Sequence, residues 1–382
     1  MAGKKVLHIV TRLEKGGTLS NILALLEGLA PDYEVVLALG EFNSEKEIVN
    51  ASAARAGYRV VWLPDLVREI SPVKDWLSFL DIVDLLLHET PFVFHTHTSK
   101  AGFLGRLAAG LTGFKHVIHT PHGHVYYGYF GLLKSSFVVL MERLVSIFTN
   151  FYIVYSESEL QDNIKRKIGK VRQFVIISNG IPEAPYETAV DVPKKKAELG
   201  LPEGKIIIGY AARFARVKGS DVFIEALKLL AGKRADFIGV LAGSGTKAEE
   251  SKVRELSKEL EKQGLVKFLG FRWDLSEVLK TFDVFVLPSR NEGSPLAAVE
   301  AQFAGVPVVA SAVGSLPAII SHGQTGLLVK PDNPAELAAT LDTLLNDREL
   351  VAKIKKQAGL KAHEKYNFSA MLSAVKGLYE KP

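Results

Sequence analysis

Val284-Phe-Val-Leu-Pro288-Ser-Arg-Asn-Glu292-Gly-Ser-Pro-Leu-Ala-Ala-Val-Glu300 reads as strand, turn and helix in quick succession. Val284–Pro288 is a continuous apolar run, the pattern of a parallel strand covered on both faces. Ser294 is a good N-cap and Pro295 a good first helical residue, so a helix is predicted from there to about Ala304. In an open α/β sheet such a turn lies beyond the carboxyl end of its strand, where ligands bind. The free N–H groups and positive dipole end of the helix make an anion site there, built around Gly293, Ser294, Pro295 and Leu296. Glu292 falls in the turn and Glu300 about two turns into the helix. A carboxylate is a poor phosphate ligand but a good acceptor for sugar hydroxyls. Two of them flanking an anion site would suit sugars on either side of a diphosphate. A capping carboxylate and a surface glutamate account for the same residues equally well.

Outward from this stretch the same alternation runs along nearly the whole chain. Lys5–Val10, Glu34–Leu39, Arg59–Leu63, Phe92–His95, His116–His119, Phe151–Tyr155 and Phe174–Ile177 read as strands, with helices between them such as Thr18–Leu29 and Lys100–Leu111. Ser156 and Glu159 form a capping box. Ile181-Pro-Glu-Ala-Pro-Tyr and the charged turn Val192–Glu203 then break the pattern. It restarts with Lys205–Ala211, Asp236–Ala242, Val266–Leu269, Val284–Pro288 and Pro307–Ser311. Asn333 and Pro334 open a helix to Leu345, and a further helical stretch from Leu350 is interrupted near Tyr366-Asn-Phe. A length of 382 residues suits two domains. The reading is therefore α/β: two doubly wound Rossmann-like domains, residues 1–185 and 186–365, with a C-terminal helix at 366–382.

Other strand-end loops carry chemistry of the same kind. After Lys205–Ala211 comes Ala212-Arg-Phe-Ala-Arg-Val-Lys-Gly, with Ser220 predicted to cap the next helix. Arg213 and Lys218 project from that loop, an arginine fork and a point charge suited to a diphosphate. Gly243 in Gly243-Ser-Gly allows close backbone approach after the next strand. Gly16 and Gly17 follow the first strand, but the loop is not G-x-G-x-x-G and no acidic residue ends the second strand, which argues against a nicotinamide dinucleotide. Six of the ten histidines lie between His95 and His124, so a metal site has to be weighed. Carboxylates to complete the coordination are missing nearby. No metal is expected, and His122, before Gly123, is best placed to bond a substrate hydroxyl or phosphate.

The net charge of +5 is too small to argue for nucleic acid, but it is unevenly placed. Lys100, Arg106, Lys115, Lys134 and Arg143 face one acidic residue, Glu142, between residues 100 and 156, in a stretch that also holds Tyr126, Tyr127, Tyr129 and Phe130. Such a basic, aromatic segment suits an anionic membrane surface. A core helix with lysines at its rim is the plainer reading. The chain has no cysteine, which excludes disulfides and thiolate chemistry. Neither a signal peptide nor a membrane-spanning run is apparent, so a cytoplasmic protein is expected.

Taken together, these loops resemble the retaining glycosyltransferases of family 4, which adopt the GT-B fold, over essentially the whole chain. Glu292 and Glu300 match the family's E-x7-E signature, followed by Gly305-Val-Pro-Val-Val-Ala and Gly326-Leu-Leu-Val. Arg213 and Lys218 match its G-R-x4-K-G loop, Asn179-Gly-Ile its pre-linker motif, Gly16-Gly17 its N-terminal glycine loop and His122-Gly123 its donor-side histidine. Ala212 replaces the usual glycine, Ser294-Pro295 the commoner Phe-Gly, and Leu241-Ala-Gly-Ser-Gly-Thr a G-D-G-P.

The resemblance implies two domains facing a cleft. The C-terminal one would bind a nucleoside-diphosphate sugar, UDP-linked by preference, with its base near Phe271–Trp273. The N-terminal one would bind the acceptor, and the C-terminal helix would pack back on it. Arg213, Lys218 and the helix N-terminus would neutralise the departing diphosphate without a metal, Glu292 would hold the donor sugar and Glu300 the ribose. His95-Thr-His-Thr-Ser-Lys-Ala-Gly-Phe-Leu-Gly-Arg and His119-Thr-Pro-His-Gly look like members that build bacterial surface polysaccharides on a polyisoprenyl diphosphate. That gives Lys100, Tyr126, Tyr127, Lys134 and Arg143 a role at the acceptor or at the inner face of the cell membrane. The alternatives are a small soluble acceptor or a non-catalytic nucleotide- or carbohydrate-binding subunit.

Overall fold

A computed structural model describes residues 3–41, 45–122 and 132–381. The chain divides into two compact units, one of Met1–Gly180 with Ser369–Pro382 and one of Ile181–Phe368. The sequence places the first boundary after residue 185. It falls instead at Gly180, because Ile181 is bridged to Asn367, its N–H donates to the Tyr366 carbonyl (3.0 Å), and Asn367 donates to Glu183. The proline-rich break therefore belongs to the second unit.

The first unit holds strands β1 (Lys5–Val10), β2 (Glu34–Gly40), β3 (Arg59–Leu63), β4 (Val93–His97), β5 (Val117–Thr120), β6 (Phe151–Val154) and β7 (Phe174–Ile176). They form one sheet in the order β3-β2-β1-β4-β5-β6-β7, every pair parallel. The second unit holds β8 (Ile206–Ala211), β9 (Phe237–Ala242), β10 (Val266–Gly270), β11 (Val284–Leu287), β12 (Val308–Ser311) and β13 (Leu327–Val329), ordered β10-β9-β8-β11-β12-β13 and again all parallel. Parallel strands need crossover helices, which cover both faces and bury the strands; Val284–Leu287 and Val308–Ser311 are buried at every position. In each sheet the strand order reverses once, between β1 and β4 and between β8 and β11. Those switch points are where ligands bind in such sheets.

Local signals behave unevenly. Asn333 caps its helix, its side chain accepting from the Glu336 N–H (3.0 Å). Ser156 accepts from the Glu159 N–H (3.2 Å), but Glu159 reaches back to the N–H of Tyr155 (2.8 Å) and not to Ser156. Gly219, in the left-handed region (φ +70°), takes the cap position expected for Ser220, which becomes the first helical residue. A side chain there would put its Cβ 2.0 Å from the Pro288 carbonyl, so only glycine lets the loops after β8 and β11 touch. β13 is absent from the sequence reading because its three residues are too few to show a period.

Candidate active site

At the second unit's switch point the loop after β8 carries Arg213 and Lys218, and the loop after β11 carries Glu292. Lys218 lies in a short 3-10 turn, Arg216–Lys218, and its ammonium bonds both carboxylate oxygens of Glu292 at 2.8 Å. Ser289 donates to the same carboxylate (2.7 Å). Glu292 is almost completely buried, whereas Lys218 keeps about a quarter of its side chain exposed. A buried carboxylate needs such a partner, since an uncompensated charge there costs several kcal/mol, roughly 3–5 when one partner is removed. The pair is the one relation between these residues that their sequence spacing does not reveal. Tyr210 on β8 holds the loop from below, donating to the Arg213 carbonyl (3.1 Å). Arg213 itself is exposed. Arg290 is bound by Asp221 (2.8 Å) and Asp332, and its backbone N–H donates to Val217 (2.8 Å), which ties the two loops together.

The helix after Glu292 runs Leu296–Phe303 with Pro295 at the cap position and no side-chain cap bond. Ser294 therefore precedes the cap and does not form it. Proline fits because it lacks the N–H that a cap position leaves unbonded. Ser315 fastens the turn by donating to the Gly293 carbonyl (2.7 Å). Glu300 is the helix's fifth residue, just over one turn in, nearer the N-terminus than the sequence placed it. Burial raises its carboxyl to about 6, against a hydrogen bond from Tyr186, a residue the sequence reading did not single out. Tyr186 comes from the short helix Ala184–Glu187 and packs on Phe303. Gly243 follows β9 and donates to the Gly270 carbonyl (2.7 Å); Phe271 follows β10 and meets Trp273 edge to face.

In the first unit Gly16 (φ +138°) is the N-cap of the helix Gly17–Leu29, and nothing lies within 4 Å of where its Cβ would be. The helix thus starts with bare backbone facing open space. His122 follows β5. Both its ring nitrogens are engaged inside the unit, Nε2 with His97 Nδ1 (2.9 Å) and Nδ1 with the Tyr155 hydroxyl (2.8 Å). Among the described residues, His8, His95 and His97 are one group whose ligand atoms lie within 4.8 Å of one another. Those nitrogens already bond one another, His122, Tyr379 and Thr120.

The basic stretch is partly dismantled by folding. Arg106 is fully buried and bidentate to Glu142 (2.9 and 2.8 Å), and Lys100 is held by Asp75 and the Val67 carbonyl. Their charges are matched within the unit. Arg143 stays exposed on the helix Leu132–Val145, its Nε donating to the Arg166 carbonyl. Tyr126, Tyr127 and the side chain of Lys134 lie outside the described residues. No helix, among the described residues, is long and apolar enough to cross a membrane.

Two doubly wound parallel sheets with charged groups at a switch point are the build of GT-B glycosyltransferases, and comparison with known proteins bears this out. The family described as glycosyl transferases group 1 matches residues 191–360, and the glycosyl transferase 4-like domain matches residues 16–180. A galactosyltransferase of Escherichia coli, UDP-Gal:alpha-D-GlcNAc-diphosphoundecaprenol alpha-1,3-galactosyltransferase, is 30% identical over 329 residues, 84% of this chain and 83% of that protein. A D-inositol 3-phosphate glycosyltransferase of Corynebacterium efficiens is 31% identical over 59% of this chain and 55% of its own length. The structure of Anabaena Alr3699/HepE in complex with UDP and glucose matches with a TM-score of 0.85 at 20% identity, covering 98% of both chains. The chain belongs to the family 4 type of glycosyltransferases and has their GT-B fold.

Proposed function

We propose that the chain moves a hexose or N-acetylhexosamine from a UDP-sugar to a lipid-linked glycan, with retention at the anomeric carbon and without a divalent metal. The observation that carries this is the convergence of Arg213, Lys218, Glu292 and the start of the Leu296–Phe303 helix at one switch point. The anomeric C–O bond to the diphosphate breaks in the reaction, and negative charge builds on the departing oxygen. Two cations and a helix N-terminus are fixed donors aimed at that charge. Attack by the acceptor hydroxyl on the face the diphosphate leaves gives retention, its proton passing to the diphosphate. Glu292 holds donor hydroxyls and Glu300 the ribose.

The UDP and lipid-linked assignments are supported by the E. coli relative, which is named for both. A surface feature supports a peripheral membrane position. The helix Leu132–Val145 and the turn after it expose Phe137, Leu140, Leu144 and Ile147 (77% exposed) beside Leu107 and Leu111 of the helix Ser99–Thr112. Arg143 on the first of these helices and Lys115, just after the second, are exposed. The helix Pro72–Glu89 also exposes apolar residues, but Asp84 stands among them, which suits an anionic surface less well. Apolar side chains with cations are what an anionic lipid surface binds.

A thermal-shift panel of UDP-, GDP- and ADP-sugars with EDTA present tests the donor reading. A ligand at 100 times its Kd adds roughly 2.7 kcal/mol, a clear rise in Tm. A shift confined to the UDP series supports the proposal; shifts with GDP- or ADP-sugars alone, or with UDP-sugars only when a divalent metal replaces EDTA, overturn it. Transfer to polyisoprenyl-diphosphate sugars and to inositol phosphate, run side by side, tells the acceptor classes apart.

A further inference from the structure

The first unit buries a set of polar rings that the reaction above does not account for. The parallel register of β1 and β4 puts His8 opposite His95, and His97 follows two residues on, so all three rings stand on the same face of the sheet. That is the face on which Tyr379, from the C-terminal helix Phe368–Tyr379, reaches them. The bonds form one unbranched chain. Thr120 Oγ1 is 2.8 Å from His95 Nε2, and His95 Nδ1 is 2.6 Å from the Tyr379 hydroxyl. That hydroxyl is 3.4 Å from His8 Nε2, and His8 Nδ1 is 2.9 Å from His97 Nε2. His97 Nδ1 continues to His122, and His122 to Tyr155, whose hydroxyl also bonds the side chain of Asn179.

Burial holds these four imidazoles neutral. A neutral imidazole has one N–H and one bare nitrogen, and here every ring uses both. The chain therefore has two good proton arrangements, all donors pointing one way or all pointing the other. Any mixture sets two N–H groups, or two lone pairs, against each other. We take the Asn179 amide as the donor in its bond to the Tyr155 oxygen. Tyr155 then gives its own hydrogen to His122 Nδ1. That choice places the proton on Nε2 of His122, His97 and His8, sends the Tyr379 hydrogen to His95 and ends with His95 donating to Thr120. The backbone is strained where the chain meets its loops: His122 (φ +56°) and Thr98 (φ +59°) are two of five described non-glycine residues with positive φ.

We propose that Thr120, His95, Tyr379, His8 and His97 are positioning residues that set the tautomer of His122 from the far end of this chain of hydrogen bonds. The C-terminal helix thereby decides what His122 offers a ligand: a hydroxyl that displaces Tyr155 finds an acceptor at Nδ1. The activity consequence rests on the donor-side reading of His122; the tautomer itself does not.

The test reads side-chain nitrogens of the full chain by long-range proton–nitrogen-15 correlation, without any sugar. All four rings are expected to be protonated at Nε2. Thr120→Val removes the last acceptor while conserving volume, and Tyr379→Phe removes the middle link. Thr120→Val leaves the His95 N–H bare unless the whole chain reverses, and Tyr379→Phe leaves the His8 N–H bare unless the part from His8 to Tyr155 reverses, so both should move the His122 proton to Nδ1. Tyr155→Phe should leave it on Nε2. An unchanged His122 in Thr120→Val, or an Nδ1 proton already present in the parent protein, overturns the proposal. Should Tyr379→Phe fail to fold, Thr120→Val alone decides. In transfer assays the reversed variants should lose up to about tenfold in turnover, the worth of one mis-set hydrogen bond. A reversed tautomer with full activity would refute the donor-side role of His122 and leave the relay standing.

Discussion

The two switch points of this molecule are built alike and filled with opposite chemistry. Between β8 and β11 stand Arg213, Lys218 and Glu292, charged and in part open to solvent. Between β1 and β4 stand His8, His95 and His97, fully buried and held neutral. The same strand order thus serves either as a field or as a set of directions. Charges act on a developing anion from fixed positions, and they need a partner when the ligand is away, which Glu292 and Lys218 give each other. Neutral rings exert little field, but each hydrogen bond orients the next, so they transmit geometry.

The largest test of that contrast removes charge from the second unit. Arg213→Ala and Lys218→Ala should each lower turnover by about two orders of magnitude or more, as expected for loss of a charge-stabilising group. They should part company in stability. Arg213 is exposed, so its Tm should hold. Lys218→Ala strands the buried carboxylate of Glu292 and should cost roughly 3 kcal/mol, with Glu292→Gln in the same chain recovering most of it and none of the activity. Parent-like turnover in either single variant would remove the diphosphate assignment.

That pairing also shows where sequence reading stops. Twelve of the thirteen strands among the described residues are visible as largely apolar runs, because a strand covered on both faces is mostly apolar. Arg213, Lys218, Glu292 and Glu300 are visible because strand ends and helix starts place them in loops. Their mutual contact is not, since it depends on Gly219 bringing two loops together across the strand order. The relay was less legible still. Six histidines crowd residues 95 to 124, but His8 and Tyr379 come from opposite ends of the chain, and the β1–β4 register and the C-terminal helix bring them there. A histidine in the middle of the otherwise apolar first strand was the available signal. The basic stretch misled in the other direction: Arg106 and Glu142 are mates in a buried pair, which a count of charges cannot tell from surface groups.

Glu300 offers a smaller and pH-dependent effect. Its carboxyl is raised from 4.5 to about 6 by burial. As a ribose acceptor it works when ionised, so the KM for the donor should rise as pH falls from 7 to 5, by roughly tenfold for one hydrogen bond to a charged group. Glu300→Gln should show the raised KM at every pH and a flat profile. Stability runs the other way. A folded-state value above the unfolded one binds the proton more tightly in the native protein, so the stability it contributes is full below about 4.5 and is lost as pH rises through about 6. The glutamine variant should therefore gain Tm on the parent between pH 5 and 7. A donor KM that does not change with pH in the parent would take the ribose role away from Glu300.

The smallest expected effect lies on the outside of the first unit, where charge and apolar surface meet. Arg143 and Lys115 each should contribute about 1 kcal/mol to binding an anionic bilayer, and the contribution should fade as salt shortens the Debye length. Arg143→Glu should weaken binding to vesicles containing phosphatidylglycerol about tenfold or more at low salt and less at high salt. Leu144→Ser with Ile147→Ser should weaken it at both, because apolar burial is not screened. Both residues are more than half exposed, so the serines should leave Tm unchanged and the loss would be a loss of contact with lipid. If both variants bind such vesicles as the parent does, this face does not dock on the membrane.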